Sequence, residues 1–307
     1  MGDGPIAELP RRPRGRTGLL GAVLGSGASG LESAHEVSEA QAEAVLNAAL
    51  DAGVNYVDTA IDYGLSEQRI GKYLAHRRDE FYLASKCGCV VGADPHSADA
   101  RPTHVYTAAN IVAGVEQSLR RLRTDYLDVV LCHNSPSLRQ LQEHDGLQEL
   151  KQQGKVRFIG MSGWLPNLGE YIATGSFDVF LIPYSAFWRE HEELITVAAA
   201  SGAGIAVRNG AAKGGPGTQS GDYWDAWQRA ELDDLLGDMT RMEFVIRFTL
   251  SHPDIATAVI GTVNPAHVDD NARALRQGPL PEDVYAEAKR RLPVARRPDI
   301  AGSARSA

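Results

Sequence analysis

The stretch VNYVDTAIDYGLSEQRIG, from Val54 to Gly71, begins as an apolar run, passes through a polar turn and ends as the start of a helix. Asp58 and Tyr63 stand in the turn, at the end of what reads as a buried strand, where polar groups are costly to leave unpaired. The same strand-then-helix unit recurs along the chain. Further apolar runs cover Leu19–Gly25, Glu80–Lys86, Tyr126–His133, Val156–Ser162, Phe177–Ser185, Gly204–Asn209 and Thr257–Gly261, which with Val54–Asp58 makes eight. They are apolar throughout, as parallel strands covered on both faces should be. Helical patterns fill the gaps. One runs from Ser38, a predicted N-cap, to Gly53, and another starts at Ser66. A third carries Ile111, Val115, Leu119 and Leu122 at helical spacing. A last amphipathic stretch, from Pro281 to Leu292, is expected on the outside. Eightfold strand–helix alternation predicts an α/β fold, a (β/α)8 barrel. The alternative is an open doubly wound sheet. GSGASG (Gly25–Gly30) is rich in glycine, but no helix opens after it as a Rossmann turn would need.

The 307 residues, with 43% hydrophobic and 23% charged, have ordinary globular composition, and a barrel fills this length as a single domain. That domain is expected over residues 14–293, with disordered tails at 1–13 and 294–307. A formal net charge of −8 argues against nucleic acid as the main partner, because phosphate binding needs a basic face. The one basic cluster, RRPRGR (Arg11–Arg16), reads as a solvated tail rather than a phosphate-seeking arm. Three cysteines, Cys87, Cys89 and Cys132, are too few and of the wrong parity for a disulfide framework, and they suit a reducing compartment. No His/Cys cluster follows Cys87 and Cys89, so these read as small packed residues and no metal is expected. The first residues lack the apolar core of a signal peptide, and no apolar run is long enough to span a membrane. A cytoplasmic protein is expected.

A barrel carries its chemistry at the C-terminal ends of its strands. The last polar residues of successive runs are Asp58, Lys86 and His133, and Tyr63 lies a few residues beyond Asp58. Consecutive strands are neighbours, so the four side chains can converge into a proton-donating site. Two long loops, Cys87–His104 and Gly210–Gln228, leave the same face, and loops of that length are usually functional.

Several of these segments together resemble the aldo-keto reductase family. GVNYVDTAIDYGLSEQRIGKYL resembles its signature, YLASKCG its lysine strand, YLDVVLCHN its histidine strand and GKVRFIGMSGW the strand that follows. RGRTGL resembles its opening β-hairpin and IGTVNPAHVDDN its C-terminal cofactor segment, so the likeness runs from about Arg14 to about Leu292. The resemblance implies a barrel with an N-terminal β-hairpin and a C-terminal helix. It also implies an NAD(P)-dependent reduction of an aldehyde or ketone, with Tyr63 as general acid. Lys86 would lower the phenol's pKa, Asp58 would hold Lys86 charged, and His133 would hydrogen-bond the carbonyl.

It further implies a nicotinamide dinucleotide across the barrel mouth, NADPH preferred and NAD the alternative. Ser162 would hold the carboxamide, while Gly163, Leu181 and Arg208 stand where many members carry an asparagine, a glutamine and the aromatic that stacks on the nicotinamide. Asn209, Gly210, Ala211 and Lys213 would approach the pyrophosphate, and Gly261, Thr262, Asn264, His267 and Asn271 the adenosine end. The small-molecule carbonyl substrate, a sugar, a polyketide-like compound or a simple aldehyde, would meet Trp164, Trp224 and Trp227. The last two are read as a mobile lid, with barrel packing the competing reading for these aromatics and for Tyr184 and Trp188. Two further functions stay open: a non-catalytic cofactor-binding regulator, and a barrel lyase or isomerase using the same acid. The physiological substrate, the reaction direction and the oligomeric state are not legible.

Overall fold

Strand pairing closes the apolar runs into a ring. The computed structural model describes residues 8–91, 104–141, 145–212, 214 and 221–292. A hairpin comes first, β1 (Arg11–Pro13) antiparallel to β2 (Leu20–Ala22). The barrel strands follow: β3 (Leu24–Gly27), β4 (Tyr56–Asp58), β5 (Tyr82–Cys87), β6 (Leu127–Cys132), β7 (Val156–Ser162), β8 (Val179–Pro183), β9 (Gly204–Arg208) and β10 (Thr257–Gly261). Each pairs in parallel with the next, and β10 pairs with β3 to close the barrel.

The first apolar run is shared between two strands rather than forming one. Leu20–Ala22 belongs to the hairpin and Leu24–Gly27 to the barrel, and the Val23 amide between them donates to Pro10 O at 2.9 Å. An uninterrupted apolar run does not show where the chain changes partner. The expected tail over 1–13 is corrected for its described part, because Arg11–Pro13 is a paired strand. The basic arm is not simply solvated either. Arg14 is 1% exposed, donates to Thr257 Oγ1 and lies 4.0 Å over the Tyr56 ring, at the end where the strands begin. Burial lowers this guanidinium's pKa to about 10. The tail expected over 294–307 lies outside the described residues.

The core has two layers. Tyr56, Ala84, Val129, Leu131, Val179, Leu181, Ala206 and Val259 fill the barrel interior. A larger cluster packs the outer strand faces against the helices. Each fully buried Phe or Leu there contributes about 1.5–3 kcal/mol. Helix Glu39–Asp51 starts at Ser38, whose side chain accepts from Gln41 N, and helix Ala108–Leu122 starts at Thr107, which accepts from Asn110 N. Such caps are worth about 1 kcal/mol each. Ser66 is not a cap: it is the first residue of helix Ser66–Leu74, and its hydroxyl pairs with Thr59 Oγ1 at 2.8 Å. No helix among the described residues is long and apolar enough to cross a membrane.

Candidate active site

Side chains alternate along a strand, so residues two apart share a face. Tyr56 and Asp58 on β4, and Ala84 and Lys86 on β5, therefore rise in layers inside the barrel, with Asp58 and Lys86 in the top layer. Both are nearly fully buried, at 4% and 2% exposure. Lys86 Nζ donates to Asp58 Oδ2 at 2.7 Å and to Thr59 O at 2.8 Å. Burial alone would depress the ammonium, but the Asp58 carboxylate and the Tyr63 phenol outweigh it and hold Lys86 above the usual lysine range. Burial raises the Asp58 carboxyl, with Lys86 opposing. An ammonium with two oxygen acceptors within 2.8 Å decides the balance for the ionised pair.

Tyr63 sits in a tight turn, its amide donating to Ala60 O at 3.1 Å and its carbonyl accepting from Ser66 N at 2.8 Å. Gly64 makes the turn possible. Its φ is +45°, and a Cβ there would stand 2.4 Å from Glu32 O. The Tyr63 ring centroid lies 4.6 Å from Lys86 Nζ. The phenol's pKa is raised, not lowered: burial dominates, and Lys86 is the largest opposing influence. Lys86 lowers the phenol's pKa as expected, but burial outweighs it and the net shift is upward. A half-buried phenol loses more hydration than one neighbouring cation restores, so Tyr63 is fully protonated at neutral pH. His133, just after β6, faces Tyr63 edge-on with ring centroids 6.1 Å apart. Burial, then the nearby Lys86 charge, holds its pKa well below the ordinary value, so the imidazole is neutral with one N–H to donate.

The rest of the signature is scaffold. Glu67 is completely buried, accepts from Ser85 Oγ at 2.8 Å and pairs with Arg121 at 3.3 Å. With the Thr59–Ser66 hydrogen bond it pins helix Ser66–Leu74 to β5 and to helix Ala108–Leu122, which fixes the turn carrying Tyr63.

A cavity of about 1170 Å³ opens over β9, β10, β3 and β4. It is lined by Asp58 and Tyr63, and by Arg208, Asn209, Gly210, Ala211, Gly261, Thr262, His267 and Asn271. Ten of the expected site residues thus share one wall system. Ser162 is buried beside it, paired with the lining residue Leu181. Asn209 adopts φ 63°, which turns the chain sharply as it leaves β9. The guanidinium of Arg208 lies 5.3 Å over the Trp164 ring. Lys213 lies outside the described residues.

Other expected residues are placed elsewhere. Asn264 does not line the cavity; its side chain caps helix Pro265–Arg276 by accepting from Ala266 N at 3.0 Å. Trp224 and Trp227 are not a lid. They lie on helix Gly221–Arg229 at 6% and 0% exposure, packed with Phe187 and Phe244. Helical spacing turned them inward, which the polar composition around them concealed. Tyr184 and Trp188 are likewise buried. Residues not anticipated also line the cavity, among them Ser29, Met242, Glu243, Asp270 and Arg273. His267, Asp270, Asn271 and Ala274 follow i, i+3, i+4, i+7 spacing, a signal of one helix face that was available.

A closed parallel barrel with a buried lysine–carboxylate pair beside a tyrosine at its mouth places ionisable groups on the face where barrels carry their sites. The comparisons make it specific. The family model described as Aldo/keto reductase family matches residues 23–218, and the chain belongs to that family of oxidoreductases. It is similar to the L-galactose dehydrogenase of Arabidopsis thaliana, 27% identical over 297 residues that cover 89% of this chain and 90% of that protein. The holo form of an aldo-keto reductase from Bacillus halodurans superposes with TM-score 0.84 at 27% identity, covering 95% of this chain and 99% of the other. An aldo-keto reductase from Klebsiella pneumoniae in complex with NADPH shares the fold, with TM-score 0.75 at 22% identity, over 95% of this chain and 98% of that one.

Proposed function

We propose that the chain reduces an aldehyde or ketone with NADPH, or runs the reverse oxidation, using Tyr63 as the proton donor. The observation that carries this is Lys86 Nζ, held 2.7 Å from Asp58 Oδ2 and 4.6 Å from the Tyr63 ring centroid, beside a cavity that Asp58 and Tyr63 themselves line. When bound, the dinucleotide supplies the hydride. Tyr63 gives its proton to the carbonyl oxygen, and the adjacent ammonium stabilises the phenolate left behind. Asp58 keeps that ammonium charged and aimed. His133, neutral, donates its N–H to the same oxygen and orients it.

The cavity's chemistry fits such a cofactor. At about 1170 Å³ it slightly exceeds the usual range of small-ligand sites, as an extended dinucleotide requires. Arg208 and Arg273 offer positive charge, the Asn209–Ala211 turn offers backbone amides, and Thr262 and Asn271 offer polar contacts. Arg273, exposed on helix Pro265–Arg276, supports the preference for a 2′-phosphate despite its ion pair with Asp270. The family membership and the plant relative named for L-galactose support a sugar-like substrate.

Incubation with NADPH and a panel of aldoses, ketones and simple aldehydes, followed at the nicotinamide absorbance, tests this reading. Substrate-dependent oxidation supports it. Tight NADPH binding without turnover on any member would favour the regulator, and substrate conversion without cofactor would favour the lyase or isomerase. Either result overturns the proposal.

A further inference from the structure

Cys89 and His104, at the two ends of the segment that follows β5, take no part in the reduction and meet at one point. Asp62 follows β4, Cys89 follows β5, His104 is bridged to Cys89 by backbone pairing, and His133 follows β6. One ligand atom from each lies within 4.8 Å of every other. We propose that Asp62, Cys89, His104 and His133 form a four-coordinate site for a zinc-class divalent cation beside the catalytic tyrosine.

The argument is geometric. Metal–nitrogen bonds of about 2.0–2.1 Å and a metal–sulfur bond of about 2.3 Å, arranged as a tetrahedron, require N···N edges of about 3.4 Å and N···S edges of about 3.6 Å. His104 Nε2 and His133 Nδ1 are 3.4 Å apart. Cys89 Sγ stands 3.4 Å from His133 Nδ1 and 3.7 Å from His104 Nε2. Asp62 Oδ2 stands 3.5 Å from His133 Nδ1 and 3.9 Å from His104 Nε2. The contacts are unusually dense for a set of neutral hydrogen bonds. His133 Nδ1 carries at most one proton, yet three heteroatoms crowd it within 3.5 Å. A cation at the centre engages all four groups once the Asp62 carboxylate moves in, because the set spans up to 4.8 Å, wider than a tetrahedral edge.

The donor set selects the ion. Two imidazoles, a thiolate and a carboxylate suit zinc and its first-row neighbours, whereas magnesium and calcium require oxygen ligands throughout. A thiolate and a carboxylate also balance the dication's charge. The Asn134 amide packs against the His104 ring, its Nδ2 3.1 Å from Nε2 and 3.3 Å from Nδ1, so it must shift when a metal takes Nε2. With four protein ligands the site is closed, so its role is to position rather than to activate water. It ties His104 to the barrel mouth. It also takes Nδ1 of His133, which leaves Nε2 as the only ring nitrogen able to carry the proton that orients a carbonyl. His133 is thereby a shared group: a metal ligand through one nitrogen, a substrate donor through the other.

This inference goes beyond the reductase reading and is read out independently of turnover. The intact protein is stripped with a chelator, dialysed and titrated with Co²⁺, then with Zn²⁺. The expected result is one Co²⁺ per chain, with tetrahedral visible bands, a thiolate charge-transfer band in the near ultraviolet, and bleaching of both by equimolar Zn²⁺. Cys89→Ser should lose the charge-transfer band and His104→Ala should lose tight binding, while Cys87→Ser should keep both. A native protein that binds no Co²⁺, or binds it without a thiolate band, overturns the proposal whether or not the variants fold. An undiminished band in Cys89→Ser overturns it too.

Discussion

Replacing Lys86 by methionine removes a charge while nearly preserving length, and its effect can be worked from the structure. The ammonium lies 4.6 Å from the Tyr63 ring centroid. At an effective dielectric of about 20, a unit charge about 4–5 Å from a phenolate stabilises it by about 3–4 kcal/mol. If most of that is expressed in the transition state, kcat for carbonyl reduction falls by roughly a hundred- to several hundred-fold, within the usual range for general acid catalysis. The pH profile supplies the sign. Tyr63 must be protonated to act, and its pKa is raised above the ordinary tyrosine value of about 10. Reduction should therefore persist through neutral pH and fade only as the pH climbs through that raised value. Lys86 is the chief influence pulling the value down, so Lys86→Met moves the falling limb further upward while lowering the plateau. The buried Asp58 left behind must be neutralised as well, so Asp58→Asn with Lys86→Met is the companion variant. It should recover stability but not rate, because the lost ammonium is common to both. Steady-state kinetics from neutral to strongly alkaline pH, at saturating NADPH, make the check. A Lys86→Met enzyme that turns over within about threefold of the native protein would refute the electrostatic reasoning.

His133 is neutral well below its ordinary pKa, so the reduction rate should stay flat from about pH 6 to 8, where an unperturbed histidine would titrate; a step near pH 6.5 contradicts its placement. Trp227→Ala should cost about 3–5 kcal/mol of unfolding free energy in denaturant titrations, because the indole is completely buried; a large rise in substrate KM with unchanged stability would restore the lid. Arg273→Ala should raise KM for NADPH about fivefold, worth about 1 kcal/mol for an exposed ion pair, and leave NADH unaffected; equal effects on both cofactors would remove its contact with the 2′-phosphate.

The barrel was legible because its strands are short apolar runs punctuated by helices, and burial on both faces leaves a plain trace in sequence. The convergence of Asp58, Lys86 and His133 was legible for the same reason: they are the polar residues that end those runs, and strand order makes them neighbours. What failed depended on three-dimensional competition. The split of Leu19–Gly25 is held by contacts from elsewhere in the chain: Asn55, just before β4, bonds both Ala22 N and Leu20 O, and Val23 N donates to Pro10 O. The sign of the Tyr63 shift is a balance of burial against one charge, and spacing carries no measure of burial. Trp224 and Trp227 stand in polar surroundings in sequence yet on the buried face of a helix. The gathering of Asp62, Cys89, His104 and His133 comes from three separate strand ends and a loop return, so no local motif announces it.

The most direct test of the account is Tyr63→Phe, with cofactor affinity measured by fluorescence quenching beside NADPH oxidation on the best substrate of the panel. Removing one hydroxyl should leave NADPH affinity within about twofold and lower turnover by about a hundredfold or more. Retained binding with undiminished turnover would mean that the proton comes from elsewhere, and the roles given to Lys86 and Asp58 would fall with it.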